Sequence, residues 1–465
     1  MSGGIQSKKM GEMPVTKLVF NMSIPIIISM MVQALYNVVD SIFVGQFDTH
    51  ALEAVSLAFP VQNLMISLAV GFGVGTNALV ARHLGEKRRD RAGDVASAGI
   101  FLSVIGYVAF AILAIFIIKP FFGMQTGIPE VAAYGEEYLS VIMFLGIGIF
   151  VEIIGERLLQ STGHSKLSMI SQATGAGINL VLDPIFIFGH FGMPAMGARG
   201  AAIATVCGQI AAGIIAIILN IKFNKDIQLR ISRILKPVGE DIAQIFKIGL
   251  PSMILNAIMS IVVFVMNIIL RGFSEDAITA YGIYFKLISF VYMPIFGLNA
   301  GLVPIFSYNL GSRQIDRIHK AYRVGMISAL IFMAACTAVF EIFAVPLLQM
   351  FSATDNVMAI GQVALRIMGI GFMMSGIEII NSTLFQAAGN PMNSLVVTCI
   401  RQGAALLPSA FILARTGNVD NVWWAIPIAE VTGLILSLIF YRKLKKKLNA
   451  MAAESPPGEA AARGT

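Results

Sequence analysis

The chain has 465 residues, of which 57% are hydrophobic and only 13% are charged, and its net charge is +7. Soluble proteins carry about 25% charged residues, so this composition excludes an ordinary water-soluble domain. The positive charge does not indicate a nucleic-acid-binding protein, because the basic residues gather in alternate loops between apolar segments.

Twelve apolar segments are long enough to cross a membrane as helices, since a span needs roughly 20 apolar residues. In chain order these predicted helices 1 to 12 lie at about residues 17–44, 55–82, 93–119, 134–160, 166–189, 198–221, 240–270, 278–306, 321–348, 357–385, 391–414 and 421–441. No cleaved signal peptide is predicted, because residues 1–17 are polar and the first apolar segment is too long for one. The predicted fold class is therefore an all-α polytopic membrane protein with twelve transmembrane helices.

Residues 25–163 recur weakly, without a gap, 226 positions later. The matching landmarks are Pro25 and Pro251, Gly71 and Gly297, Gly75 and Gly301, Leu84-Gly85 and Leu310-Gly311, Asp90-Arg91 and Asp316-Arg317, Pro120 and Pro346, Glu152 and Glu378, Gln160 and Gln386, and Gly163 and Gly389. Each half holds six apolar segments, and an even number of crossings returns the chain to its starting side. The sequence therefore predicts two six-helix bundles related by a parallel repeat, an arrangement that builds transporters.

Basic residues mark the side of the membrane on which the loops lie. They gather in the loops after predicted helices 2, 6 and 8 and in the C-terminal tail, as in Arg88, Lys225, Arg313 and Lys446. This positive-inside pattern predicts that both termini are cytoplasmic. The predicted regions are a cytoplasmic N-terminus (1–16), an N-lobe (17–221), a cytoplasmic linker (222–239), a C-lobe (240–448) and a disordered tail (449–465).

Four polar residues of the N-lobe are predicted to converge in the outer half of the membrane. Predicted helices 1 and 5 both run outward; helix 1 carries Asp40 near its outer end, and helix 5 carries Asn179 and Asp183 one turn apart on one face. Thr205 enters at a similar depth, because predicted helix 6 begins outside. Ionisable residues inside a span indicate function, since each costs about 2.5–3.5 kcal/mol on insertion scales.

The oxygen atoms of this set suit Na⁺, or a proton shared between two carboxylates. The alternative is a buried hydrogen-bond network that holds no ion. Cation coupling is favoured, because two acidic residues at one depth have no basic partner there. The second half lacks the cluster, since the equivalent positions hold Met266, Ala405 and Ser409.

Other residues inside the predicted helices have weaker functional signals. Pro25 begins the first helix of its half, as Pro251 does in the second, and it is a candidate hinge. Glu152 and Glu378 are repeat mates, for which a structural role is favoured over a functional one. Arg401 and Arg366 are expected to find Glu378 or Glu430 as partners.

Four features of the sequence resemble the multidrug and toxic compound extrusion (MATE) family. They are the VLDPIFIFG run at 181–189, the GAAIATVCGQ run at 200–209, Pro25 together with Asp40 in predicted helix 1, and the LVARHLGEKRRDRA loop at 79–92. The resemblance covers about residues 17–445 and is closest to the DinF-like branch with its MepA-type members. It implies two bundles in a V and export of amphipathic, often cationic compounds in exchange for H⁺ or Na⁺. Carried over by motif, the cation site of the family falls on Asp40, Asn179, Asp183 and Thr205. The C-lobe site of another branch is not matched, because predicted helix 7 has no acidic residue between Pro251 and Leu270.

The predicted function is therefore a cation-coupled antiporter in the bacterial inner membrane. It is expected to be no enzyme, to act as a monomer on amphipathic small molecules among membrane lipids, and to bind no nucleic acid. No cofactor is expected besides H⁺ or Na⁺ as the coupling ion, and the absence of a Walker loop argues against ATP hydrolysis. The main alternative is a lipid-linked saccharide flippase, which would need a strongly basic cavity. An intramembrane enzyme would need a nucleophile–base pair or metal ligands, but the histidines lie in loops or at helix ends. A channel would not need two repeated lobes.

Overall fold

A computed structural model describes residues 6–229, 231–351 and 353–453 of the chain, and within these ranges helix is the only regular secondary structure. The twelve main helices are α1 (Val15–Phe47), α2 (Thr49–Gly85), α3 (Arg89–Gln125), α4 (Pro129–Phe144 and Ile147–Ser161), α5 (Ser165–Phe188), α6 (Gly197–Phe223), α7 (Gly239–Arg271), α8 (Glu275–Gly311), α9 (Ile315–Ile342), α10 (Asp355–Gly369 and Phe372–Ala387), α11 (Pro391–Ala414) and α12 (Val419–Ala453). Short helical turns lie at Gln6–Lys8, Lys9–Glu12, His190–Gly192, Ile231–Leu235 and Ala344–Gln349.

The helices have the length and composition of membrane spans. In the described part of the chain, nine helices qualify by themselves, and the two bent helices α4 and α10 bring the number to eleven. The twelfth is α7, a continuous helix of 33 residues, the same length as α1. The prediction of an all-α protein with twelve transmembrane helices is therefore confirmed.

Two helices are broken at equivalent places in the two repeats, which the sequence did not predict. α4 bends by 46° between Phe144 and Ile147, and α10 bends by 44° between Gly369 and Phe372. The repeat is also visible in one turn of the backbone, because Lys87 (φ 61°) and its equivalent Arg313 (φ 56°) both have left-handed conformations.

The described chain divides into two compact units by its internal contacts. Unit 1 contains residues up to Met10 and Asn21–Met253, and unit 2 contains Gly11–Phe20 and the residues from Ile254 onward. The division therefore falls inside α1 and α7, whereas the predicted boundary was the linker 222–239. The predicted disordered tail lies mostly outside the described residues, and its first residues continue α12 as far as Ala453.

The start of α7 packs closely on α2 within unit 1. A Cβ on Gly249 would collide with the carbonyl oxygen of Gly71, and a Cβ on Gly75 would collide with that of Ile245. Glycine at these positions allows the two backbones to touch, as at many helix crossings in membranes. The same device brings α5 and α6 together, since a Cβ on Gly208 would lie 2.7 Å from the carbonyl oxygen of Gly175.

Candidate functional site

The close approach of α5 and α6 at Gly175 and Gly208 places the next turn of α5 against α6. There the Asn179 amide Nδ2 donates to Asp183 Oδ1 at 3.2 Å and to Thr205 Oγ1 at 3.4 Å. All three side chains are buried, and Asp183 is 0% exposed. The structure therefore joins three of the four predicted site residues in one hydrogen-bonded group.

Asp40 approaches this group from α1. Its carboxylate is close enough to that of Asp183 for electrostatic repulsion between them. Three oxygens of the set are buried without a hydrogen-bond partner, namely Asp40 Oδ1, Asn179 Oδ1 and Asp183 Oδ2. Such atoms are rare in folded proteins, and each calls for an explanation, of which a bound cation or proton is one.

Two tyrosines also face the carboxylates, and the sequence analysis missed both. Tyr36 interacts electrostatically with Asp40 and Asp183, and its hydroxyl is hydrogen-bonded to Gln33. Tyr138 of α4 interacts with the same two carboxylates, and its hydroxyl donates to Gln62 Oε1 at 3.2 Å. The spacing of Tyr36 and Asp40, one helical turn, was the available signal for the first of them.

The site carries no compensating positive charge in the described part of the chain. No charged side chain among the described residues stabilises the Asp40 carboxylate, and the side chains that act on Asp183 are Asp40 and Asn179. Among the described residues no group of three or more His, Cys, Asp or Glu side chains is arranged to hold a metal ion. The Asp40 group has two carboxylates, one neutral amide and one hydroxyl. Oxygen atoms of this kind suit a hard monovalent cation, and a carboxylate pair suits a shared proton.

Pro25, the candidate hinge, lies inside α1, which continues through it without interruption. The Ser29 hydroxyl donates to the Pro25 carbonyl at 3.0 Å, four residues back in the same helix. The hinge role of Pro25 stays a prediction.

Glu152 and Glu156 are buried one turn apart on the second part of α4. Glu152 acts electrostatically on Tyr36, so it lies on the side of α4 toward the Asp40 group. Glu152 Oε2 and Glu156 Oε1 have no hydrogen-bond partner, and Arg157 instead donates to Gln160 Oε1 at 2.9 Å. One carboxylate oxygen of Glu152 therefore lacks a partner among the described residues, and the role of Glu152 stays open.

Unit 2 contains a separate buried charge cluster on α10, α11 and α12. Arg401 Nη1 lies 2.7 Å from Glu430 Oε1, and Arg401 Nε lies 3.3 Å from Glu378 Oε1. The predicted partners of Arg401 are therefore confirmed. The same prediction is wrong for Arg366, whose Nε donates to the backbone carbonyl of Glu341 at 3.2 Å.

The sequence of the chain matches the model of a known protein family in both repeats. The MatE family model matches residues 25–185 and again residues 251–412, one match in each repeat. The chain belongs to the MatE family. The two matches begin at Pro25 and Pro251, and the first ends just after the Asp183 motif of α5.

Curated relatives and solved structures of similar length support this membership. The chain is 28% identical to the multidrug export protein MepA of Staphylococcus aureus strain MSSA476 over 446 residues, 95% of this chain and 96% of the relative. It is 26% identical to MepA of Staphylococcus haemolyticus over 438 residues, 94% of this chain and 95% of that one.

Two solved structures have the repeated two-bundle fold of this family. An outward-facing multidrug resistance MATE family transporter of the MOP superfamily matches with a TM-score of 0.89 and 26% identity, over 97% of this chain and 99% of that one. A MOP superfamily transporter from Pyrococcus furiosus, for which a binding pocket of reverse polarity suggests a different function, matches with a TM-score of 0.88 and 26% identity, over 95% and 98% of the two chains. The predicted family and fold class are confirmed.

Proposed function

We propose that the protein exports amphipathic, often cationic drugs and toxins in exchange for H⁺ or Na⁺, by alternating access. The family membership and the multidrug export proteins among its relatives support drug export. The observation that carries cation coupling is the set of three buried oxygens without hydrogen-bond partners in the Asp40 group. A cation or a proton at these atoms would satisfy them and would remove the repulsion between the two carboxylates.

Asp40 and Asp183 bind the coupling ion, Asn179 orients Asp183, and Thr205 adds a neutral oxygen. Since α1 carries Asp40 and α5 carries Asp183, the charge on the pair controls how closely these helices approach. An ion that neutralises the pair therefore favours one packing of α1, and its release favours another. Rearrangement near Pro25 would transmit this change along α1.

The geometry gives little support to a flippase for a lipid-linked pyrophosphate. Such a transporter would need basic side chains that are free to bind an anion. The basic candidates in the spans are Lys286, Arg366 and Arg401. Arg401 is held between Glu378 and Glu430, and Arg366 contacts a backbone carbonyl. This leaves Lys286 of α8, an exposed residue, and a single lysine does not make a strongly basic cavity. We therefore propose no second function.

The test is to measure drug-stimulated Na⁺ and H⁺ fluxes in proteoliposomes that contain the wild type or Asp183→Asn. Wild type should move drug against one of the two ions, and Asp183→Asn should remain folded and lose coupled efflux by at least tenfold, as expected for the loss of about 1.4 kcal/mol or more. Glu137→Gln, a change at an exposed carboxylate of α4, is the control and should leave efflux unchanged. Wild-type efflux from Asp183→Asn would refute the assignment of the site.

A further inference from the structure

A polar cavity lies between the loop that joins α2 to α3 and the first two turns of α7, and it is here called the loop cavity. Its volume of about 590 Å³ is within the range of small-molecule sites, about 300–1,000 Å³. It belongs entirely to unit 1 and shares no residue with the Asp40 group. Charged and polar side chains form most of its wall, namely Arg82, His83, Glu86, Arg88, Arg91 and Glu240.

Two arginines of the loop cavity have hydrogen-bond donors that are free to bind a ligand. Glu86 orients both of them, since Arg82 Nε lies 3.2 Å from Glu86 Oε1 and Arg88 Nη1 lies 3.7 Å from Glu86 Oε2. The terminal nitrogens of Arg82 have no partner among the described residues, and 61% of the Arg88 side chain is exposed. Guanidinium groups recognise phosphate through paired hydrogen bonds, so these two arginines suit a phosphate group.

Two long helices begin at the loop cavity. α3 begins at Arg89 and α7 begins at Gly239, and they have 37 and 33 residues. Arg88 precedes the first turn of α3, and its side chain makes no capping hydrogen bond there. The N-terminal ends of helices carry partial positive charge and unpaired N–H groups, which add to the attraction for a phosphate.

The loop cavity also has a carboxylate that is free to bind a cationic group. Glu240 is exposed, its Oε1 accepts from Gln244 Nε2 at 3.1 Å, and its Oε2 has no partner among the described residues. The neighbouring Asp241 is already paired with Arg91 Nη2 at 2.8 Å. A simple anion would be repelled by Glu240, and a simple cation would be repelled by the arginines. A ligand that carries both a phosphate and an ammonium group matches both parts of the wall.

The second repeat shows that the fold does not require these charges. The residues of unit 2 that are equivalent to the two arginines and to the glutamate between them are neutral, namely Tyr308, Ser312 and Gln314. The N-terminal segment packs at this place in unit 2, where a Cβ on Gly11 would lie 3.2 Å from the Tyr308 ring and 3.6 Å from Gln314 Nε2. The loop therefore folds in unit 2 without the charges, and their presence in unit 1 favours a role in binding.

We propose that the loop cavity binds a phosphoethanolamine group, which is a phosphate diester joined to a primary ammonium. Arg82 and Arg88 bind the phosphate, and Glu240 accepts hydrogen bonds from the ammonium. The group has two sources, the headgroup of phosphatidylethanolamine and soluble glycerophosphoethanolamine. The loop after α2 is predicted to be cytoplasmic, at the surface where lipid headgroups lie. The proposal goes beyond drug and cation exchange and does not rest on it.

Native mass spectrometry of the purified full chain, titrated with lipids that differ only in the headgroup, tests the proposal. Wild type should bind phosphatidylethanolamine about tenfold more tightly than phosphatidylglycerol, which lacks the ammonium, and than phosphatidylcholine, whose ammonium has no N–H donor. Glu240→Gln should bind the three lipids alike, and the double variant Arg82→Gln, Arg88→Gln should bind phosphatidylethanolamine about tenfold more weakly than wild type. Lys87→Asn is the control, because it removes an exposed charge of the same loop outside the cavity wall and asparagine tolerates the left-handed backbone there (φ 61°). It should bind as wild type does.

Competition with soluble glycerophosphoethanolamine identifies the source of the group. Displacement of the lipid assigns a soluble ligand, and no displacement assigns the lipid, and both results support the same chemistry. Equal binding of the three lipids by wild type would overturn the proposal, and so would a preference for phosphatidylethanolamine that persists in Glu240→Gln. If the double variant fails to fold, Glu240→Gln still decides the question, since Glu240 is exposed and its substitution disturbs no packing.

Discussion

Arg91 Nη2 lies 2.8 Å from Asp241 Oδ1 and joins the start of α3 to the start of α7. Arg317, the equivalent of Arg91 in the second repeat, makes a corresponding contact in unit 2. Its Nη2 donates to the carbonyl of Met13, just before α1, at 2.7 Å. In each repeat the same arginine therefore holds the beginning of the first helix of the other repeat. The recurrence of Arg91 as Arg317 has a structural explanation in these two contacts.

We predict that Arg91→Met destabilises the protein by about 1.5–3 kcal/mol, the usual value of a hydrogen bond to a charged group. Asp241 is 1% exposed and its Oδ2 has no hydrogen-bond partner, so loss of Arg91 leaves a buried carboxylate poorly compensated. Thermal unfolding in detergent measures the change. The control is Arg271→Met, which removes a pair with Glu275 whose side chains are 77% and 79% exposed and which should cost less than about 0.5 kcal/mol. Equal effects of the two substitutions would contradict the role of Arg91.

A second prediction concerns the helix crossing at Gly249. Gly249→Ala should destabilise the protein by about 1–3 kcal/mol, because its methyl group would collide with the backbone of Gly71 and force α2 and α7 apart. Gly177→Ala is the matched control, since a Cβ on Gly177 meets nothing within 4 Å and alanine favours helix by about 1 kcal/mol. Unfolding midpoints should therefore move in opposite directions. An unchanged unfolding midpoint in Gly249→Ala would contradict the prediction, because it would show that α2 and α7 can accommodate a methyl group at this crossing.

A third prediction concerns His164, which lies in the loop between α4 and α5. Burial lowers the pKa of the His164 imidazole, Asp226 partly opposes this effect, and Lys9 adds to it. Since the pKa is lower in the folded than in the unfolded protein, the unfolded state binds more protons, and His164 contributes stability that is present above about pH 6.5 and is lost as the pH falls. We expect the thermal unfolding midpoint of the wild type to be lower at pH 5.5 than at pH 7.5. The difference between the two pH values should be smaller in His164→Gln. An identical decrease in both proteins would assign the pH effect to other groups.

The sequence predicts the helices well because a membrane span has a strong compositional signal, and it predicts the Asp40 group because acidic residues inside spans are rare. Asn179 and Asp183 share one face of α5 by their spacing alone. The shared direction of α1 and α5 predicts that Asp40 and Asp183 lie at similar depth, whereas their lateral approach depends on how the helices pack. These features follow from local pattern and topology.

The remaining features depend on packing, which a single sequence does not specify. The bends of α4 and α10 occur next to Gly146 and Gly371, but glycines are common in these helices and most cause no break. Tyr36 and Tyr138 were missed because an uncharged aromatic residue in a span is ordinary. Arg366 and Arg401 looked alike in sequence, and only the structure shows that Arg401 reaches two carboxylates while Arg366 reaches a carbonyl oxygen.

The last prediction is that drug and coupling cation weaken each other's binding. The Asp40 and Asp183 carboxylates repel each other while no cation is bound, and H⁺ or Na⁺ removes this repulsion and lets α1 and α5 pack more closely. If the drug prefers the other packing, linkage requires each ligand to reduce the affinity for the other by the same factor, typically 5- to 150-fold. Drug affinity measured by fluorescence should therefore fall on the order of tenfold as Na⁺ rises or as the pH drops, and Asp183→Asn should abolish this dependence. Glu137→Gln, with its change at an exposed position of α4, should keep the dependence. A drug affinity in the wild type that is indifferent to both ions would exclude exchange through the Asp40 group, because a cation that binds both packings equally cannot shift the balance between them.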